Sequence, residues 1–215
     1  MQPYKDRREA GAVLAEALRK QVGSGGVWVF GLPRGGVPVA LEVAKALQAP
    51  LDVLVVRKLG VPGHEELALG AIAAGGGEVL NEGLIRQLGI SPAAVQAVRA
   101  REREELARRE QAYRGARPFP ELKGQTVILV DDGLATGATM KAAIAAVRAL
   151  GPSRVVVAVP VAPQNTLQEL AHLADAVVCP LVPAGFEAVG QWYLEFPQTS
   201  DAEVLQALAE SGRRE

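Results

Sequence analysis

The strongest constraint on this chain is the alternation of short apolar segments with helix signals. Residues 27–30, 51–56, 126–130, 155–161 and 176–179 are near-continuous apolar runs without a polar face. Such runs suit strands buried on both faces, and helices between them predict an α/β fold around a mostly parallel sheet. The helix signals are local. Asp6 is an N-cap ahead of Ala10, Val13, Leu14, Ala17 and Leu18 at helical spacing, with residues 23–26, three of them glycines, as the stop. Further helices are expected over 37–47, from Ser91-Pro92 to Tyr113, over 138–150, after Pro163, and over 202–210 behind Ser200-Asp201. Residues 69–74 and 78–80 flank Gly75-Gly76-Gly77 and read as a hairpin. In a parallel sheet, ligands sit outside the carboxyl ends of the strands, so the residues at those ends are the ones to read.

Composition narrows the classes. The chain has 215 residues, 49% of them apolar, and a net charge of −1. Near-neutral charge argues against extended nucleic-acid binding, which needs many neutralised phosphates. No apolar run reaches the ~18 residues of a membrane span. The charged start, Lys5, Asp6, Arg7, Arg8 and Glu9, is unlike a secretory signal, so a soluble cytoplasmic protein is expected. Cys179 is the lone cysteine, which excludes an intramolecular disulfide framework and reads as an inert, buried thiol. No repeat, low-complexity tract or long linker divides the chain, and one domain over 1–215 is expected.

The most informative segment is residues 126–140, TVILVDDGLATGATM. A buried strand ends in two carboxylates, then a loop of small residues and hydroxyls leads into a helix. Amides at a helix N-terminus and the helix dipole favour an anion there. Gly133 and Gly137 permit backbone conformations closed to other residues, and Thr136 and Thr139 add donors. Together they make a seat for a phosphate monoester. Adjacent carboxylates do not suit phosphate, but they suit the diol of a ribose whose 5′-phosphate lies in the loop.

This segment closely resembles the 5-phosphoribosyl-1-pyrophosphate (PRPP) motif of the type I phosphoribosyltransferases. The resemblance spans roughly 27–161 and implies a three-layer fold with a long insert (about 59–123) and a small C-terminal hood (about 181–197). It places Asp131 and Asp132 on the ribose-binding acidic pair, and Ala135, Thr136, Gly137, Ala138 and Thr139 on the 5′-phosphate loop. It implies that Mg²⁺ is held mainly by ligand and water, with Asp131 or Asp132 as the candidates for direct contact. A second family loop, holding pyrophosphate, falls on Pro33, Arg34, Gly35 and Gly36. There glycines let the backbone approach and Arg34 offers a fork of donors. That loop often carries an unusual cis peptide in the family. A basic residue at the end of the second strand also reaches pyrophosphate, and either Arg57 or Lys58 could fill that role.

Other features are less committed. His64 lies in a polar loop of the insert and is read as an exposed histidine without a role, while His172 is read as structural. Residues 99–110 interleave five arginines with four glutamates, as in a solvated helix or a subunit contact, so a homo-oligomer stays open. The hood segment holds Phe186, Trp192, Tyr193 and Phe196, four of nine aromatics; Phe186, Trp192 and Tyr193 are the acceptor candidates, though ordinary packing explains the cluster as well. No known acceptor signature for uracil, orotate, adenine or hypoxanthine enzymes is present. The implied activity is Mg²⁺-dependent transfer of phosphoribosyl from PRPP to a nucleobase-like acceptor, releasing pyrophosphate. The alternative is a PRPP- or nucleotide-binding regulator without transferase activity. A dinucleotide-binding oxidoreductase is excluded, because no G-x-G-x-x-G follows the first strand.

Overall fold

A computed structural model describes residues 2–22 and 26–212. The chain folds as two compact units. The first comprises residues 1–54, 122–137 and 152–215, and the second comprises 55–121 and 138–151.

The first unit is built on a parallel sheet of five strands: β1 (Val27–Gly31), β2 (Leu51–Val53), β6 (Thr126–Val130), β7 (Arg154–Ala158) and β8 (Ala176–Val178). Their order is β2-β1-β6-β7-β8, with every neighbouring pair parallel. The continuous apolar runs account for this. Val29, Phe30, Ile128, Leu129, Val156 and Val157 are wholly buried, each contributing about 1.5–3 kcal/mol of burial. Helices α1 (Arg7–Leu18) and α2 (Gly36–Leu47) bring Leu14, Leu18, Val39 and Leu41 to this core, joined by α6 (Gln164–Ala171) and α7 (Asp201–Ser211).

Helix starts fall where the capping residues predict. Asp6 accepts hydrogen bonds from the amides of Arg8 and Glu9 at 2.8 and 2.9 Å, and Ser200 accepts from Glu203 N–H at 3.2 Å. α1 ends at Leu18, with Arg19 as its C-cap, ahead of the expected stop over 23–26, of which residues 23–25 lie outside the described residues. The strand expected over 155–161 stops at Ala158, because Pro160 has no N–H to continue the ladder. Val161 keeps one isolated parallel bridge to Leu181.

The second unit holds an antiparallel sheet of β3 (Val56–Val61), β4 (His64–Ala73) and β5 (Glu78–Leu80), with α3 (Glu82–Gln87), α4 (Pro92–Arg114) and α5 (Ala138–Arg148). The expected strand over 51–56 is therefore two strands. Leu54 N–H still bonds Gly31 O at 3.1 Å, whereas Val55 O accepts from Ala74 N–H at 3.0 Å, and β3 then pairs with β4. Arg57 and Lys58 lie inside β3, not at the exit of a parallel strand. α3 has no counterpart in the sequence reading; it is a short helix capped by Asn81. α4 is not a wholly solvated helix: Val95, Val98, Leu106 and Tyr113 are buried along it. Among the described residues no helix is long and apolar enough to cross a membrane.

Candidate functional site

β1 and β6 run in register, with Gly31 opposite Val130, and Leu32 N–H donates to Val130 O at 2.8 Å. Two loops therefore leave neighbouring strands at the same carboxyl edge of the sheet. The first, residues 32–35, turns back at once: Gly36 N–H donates to Leu32 O at 3.0 Å, and the Pro33–Arg34 peptide is cis. The second opens with Asp131 and Asp132, and Asp132 N–H donates to Asp131 Oδ1 at 2.9 Å. A Cβ on Gly35 would stand 2.1 Å from Asp132 Oδ2, so only glycine lets the two loops meet this closely.

Beyond the acids, Leu134 N–H bonds Val161 O at 3.0 Å and Thr166 Oγ1 donates to Ala135 O at 2.6 Å. Gly137 adopts a left-handed φ of 68°, which a side chain would strain, and α5 starts at the next residue. Ala135, Thr136, Ala138 and Thr139 are exposed along this turn, and Gly137 is buried.

The acidic pair is electrostatically uneven. Burial, then the neighbouring charge of Asp132, pushes the Asp131 carboxyl well above the ordinary carboxylate range. Burial also raises Asp132, against the opposing pull of Arg7. Arg7 Nε donates to Asp132 Oδ2 at 2.8 Å, its Nη1 donates to Pro197 O at 2.7 Å, and its guanidinium lies 4.0 Å over the Phe196 ring. Sequence reasoning missed this residue. The available signal was electrostatic: a cation in the first turn of a helix opposes the helix dipole and so needs a partner elsewhere.

Arg7, Asp132, Arg34 and Gly35 line an open cleft of about 380 Å³, bordered also by Phe196, Gln198 and Thr199. Arg34 Nη1 lies 4.0 Å from Asp201 Oδ1. Tyr193 supports the acid loop from behind, donating its hydroxyl to Asp132 O at 2.5 Å. Its ring lies between Tyr4, at 5.7 Å, and Phe196, at 4.8 Å. Phe186 and Trp192 pack, partly buried, against the cluster that holds Tyr193. The indole Nε1 of Trp192 is buried without a hydrogen-bond partner among the described residues. Cys179 donates to Leu181 O at 3.3 Å, and burial pushes its thiol up to about 11, which keeps it unreactive.

In the second unit, Arg57 is held by the buried Glu102, through Nε at 2.8 Å and Nη2 at 2.7 Å. Lys58 is exposed. His64 opens β4, exposed. On α4, Glu105 binds Arg109 at 2.7 Å, as its spacing predicts, and Arg108 at 2.8 Å.

At one carboxyl edge of the parallel sheet two loops meet, an acidic pair on one and an arginine on the other, and this edge is the candidate site for a small ligand. The chain belongs to the phosphoribosyl transferase domain family, whose model matches residues 63–190. It is 51% identical over 213 residues to MT0597 and Rv0571c, two Mycobacterium tuberculosis proteins named provisionally as phosphoribosyl transferases. The match covers 99% of this chain and 48% of theirs, so the chain spans about half the length of these curated relatives. It is also similar to the crystal structure of TT1426 from Thermus thermophilus, at 47% identity and a TM-score of 0.89, covering 98% of this chain and 99% of that one.

Proposed function

We propose that the protein transfers the 5-phosphoribosyl group from PRPP to a nucleobase-like nitrogen acceptor and releases pyrophosphate. The observation that carries this reading is the meeting of the two loops at Gly35 and Asp132, beside the left-handed turn at Gly137. In this reading Asp131 and Asp132 hold the ribose hydroxyls, residues 135–139 take the 5′-phosphate, and Pro33, Arg34, Gly35 and Gly36 take pyrophosphate. The anomeric carbon, with oxocarbenium character as its bond to pyrophosphate breaks, is then fixed between two rigid strand ends. Arg34 and the loop amides stabilise the charge that builds on the leaving group. Lys58 suits pyrophosphate better than Arg57, whose guanidinium is committed to Glu102. The acceptor belongs by the hood, near Phe186, Trp192 and Tyr193.

Mg²⁺ fits this donor set as a ligand-borne ion. Asp131 and Asp132 each spend one oxygen inside the protein and keep the other. Mg²⁺ keeps several waters and commonly needs only one or two carboxylates beside substrate phosphates. When bound, it would neutralise charge on the diphosphate.

The family match spans residues of both compact units, which supports treating them as one phosphoribosyltransferase domain. The test is PRPP-dependent pyrophosphate release across a panel of nitrogen heterocycles. Release with at least one supports transfer, whereas tight PRPP binding without release from any would identify a regulator.

A further inference from the structure

Helix α6 buries two side chains, Thr166 and Leu170, one turn apart on the same face. Leu170 is an ordinary apolar anchor, but Thr166, only 2% exposed, carries a hydroxyl into that position. Burying a hydroxyl is unfavourable unless it is hydrogen-bonded, and valine has nearly the same shape without that penalty. A threonine inside a helix commonly satisfies its hydroxyl on the carbonyl three or four residues back. Thr166 Oγ1 instead donates across to Ala135 O, at 2.6 Å and 31 residues away in sequence. The preceding residue of that loop is held as well, since Leu134 N–H donates to Val161 O at 3.0 Å. Two bonds from the segment between β7 and the first turn of α6 thus pin residues 134–135, immediately before the left-handed turn at Gly137.

We propose that Thr166 is a positioning residue for the 5′-phosphate seat, its hydroxyl fixing the peptide plane on which the turn begins. This rests on the phosphoribosyl-transfer reading, in which residues 135–139 take the 5′-phosphate. A trans peptide directs its carbonyl and its N–H to opposite sides. With Ala135 O turned to Thr166, the N–H of the same peptide, that of Thr136, faces away from α6. Rotating the plane would turn a carbonyl, and so negative partial charge, towards the phosphate. Gly137 adds no restraint of its own, because glycine populates left- and right-handed backbone about equally. An anchor outside the turn therefore keeps it in one conformation before the ligand arrives. A seat ordered in advance binds without the entropic penalty of ordering it. Thr166 acts through Ala135, not by touching substrate.

The test is calorimetric titration of the whole chain and of two variants, Thr166→Val and Thr166→Ser. Each is titrated with ribose 5-phosphate and, separately, with pyrophosphate in the presence of Mg²⁺. Thr166→Val is nearly isosteric, so it keeps the packing beside Leu170 and removes only the hydroxyl. It should bind ribose 5-phosphate about tenfold more weakly, the net contribution of roughly one hydrogen bond, and bind pyrophosphate as the parent does. Thr166→Ser, which keeps the hydroxyl and loses the methyl, should bind ribose 5-phosphate within about threefold of the parent. A merely structural residue would not separate the two ligands, because general loosening weakens both. Unchanged ribose 5-phosphate affinity in Thr166→Val, equal losses for both ligands, or a serine variant as weak as the valine one would overturn the proposal. A parent chain that fails to bind ribose 5-phosphate would overturn the phosphoribosyl reading and this role with it. Binding by the parent that Thr166→Val leaves untouched would remove the positioning role alone.

Discussion

Gly35 and Asp132 meet at a distance that no side chain on residue 35 could share: a Cβ there would fall 2.1 Å from the carboxylate oxygen. Gly35 has φ −61° and ψ −31°, a conformation open to any residue. Gly35→Ala should therefore fold normally and act through steric displacement of Asp132. Its expected effect is a loss of PRPP affinity of about tenfold or more, near ~1.4 kcal/mol, with little change in Tm. Paired binding and thermal-unfolding measurements check this; unchanged affinity would show that the contact is incidental.

Asp131 supplies a pH signature. Burial and the charge of Asp132 raise its folded-state pKa above the ordinary value, so the folded protein holds this proton more tightly than the unfolded chain. The resulting stabilisation is complete below the unfolded pKa, ~3.9, and is lost as pH rises through the folded value. Asp131→Asn, which keeps the acceptor for Asp132 N–H, should thus have a higher Tm than the parent at pH ~8, well above the ordinary carboxylate range. The gap should close as pH falls toward about 4. A gap independent of pH in unfolding scans would contradict the electrostatic account.

Arg57 and Lys58, adjacent on β3, should separate cleanly. Arg57→Ala leaves the buried Glu102 without its double contact and should cost stability, about 1–3 kcal/mol. Lys58→Ala, at an exposed position, should leave stability within about 0.5 kcal/mol while weakening pyrophosphate binding. Denaturant unfolding and pyrophosphate titration of both variants test this. A stability loss in Lys58→Ala with unchanged affinity would reverse the assignment.

What was legible in the sequence was mostly local. The bounds of β6, the caps Asp6, Ser91 and Ser200, and the glycine-punctuated turn at residue 137 each follow from neighbouring residues and their chemistry. The division of residues 51–56 was not, because Leu54 and Val55 are equally apolar and only their distant partners, Gly31 and Ala74, send them to different sheets. Arg7 was also hidden. Its partner Asp132 lies 125 residues away, and nothing near it marks the pairing beyond an unfavourable charge at a helix start. Tyr193 illustrates the same limit: the aromatic cluster was visible, but not that its hydroxyl would brace the acid loop.

The central claim, that PRPP is held by the acidic pair at the end of β6, is tested most directly by calorimetric titration of Mg²⁺-PRPP. The comparison is between the parent chain and the double variant Asp131→Asn, Asp132→Asn, after circular dichroism confirms the fold. Each lost charge-assisted hydrogen bond should cost about 1.5–3 kcal/mol, so binding should fall by roughly two orders of magnitude or more. Unchanged affinity in the folded double variant would contradict the account.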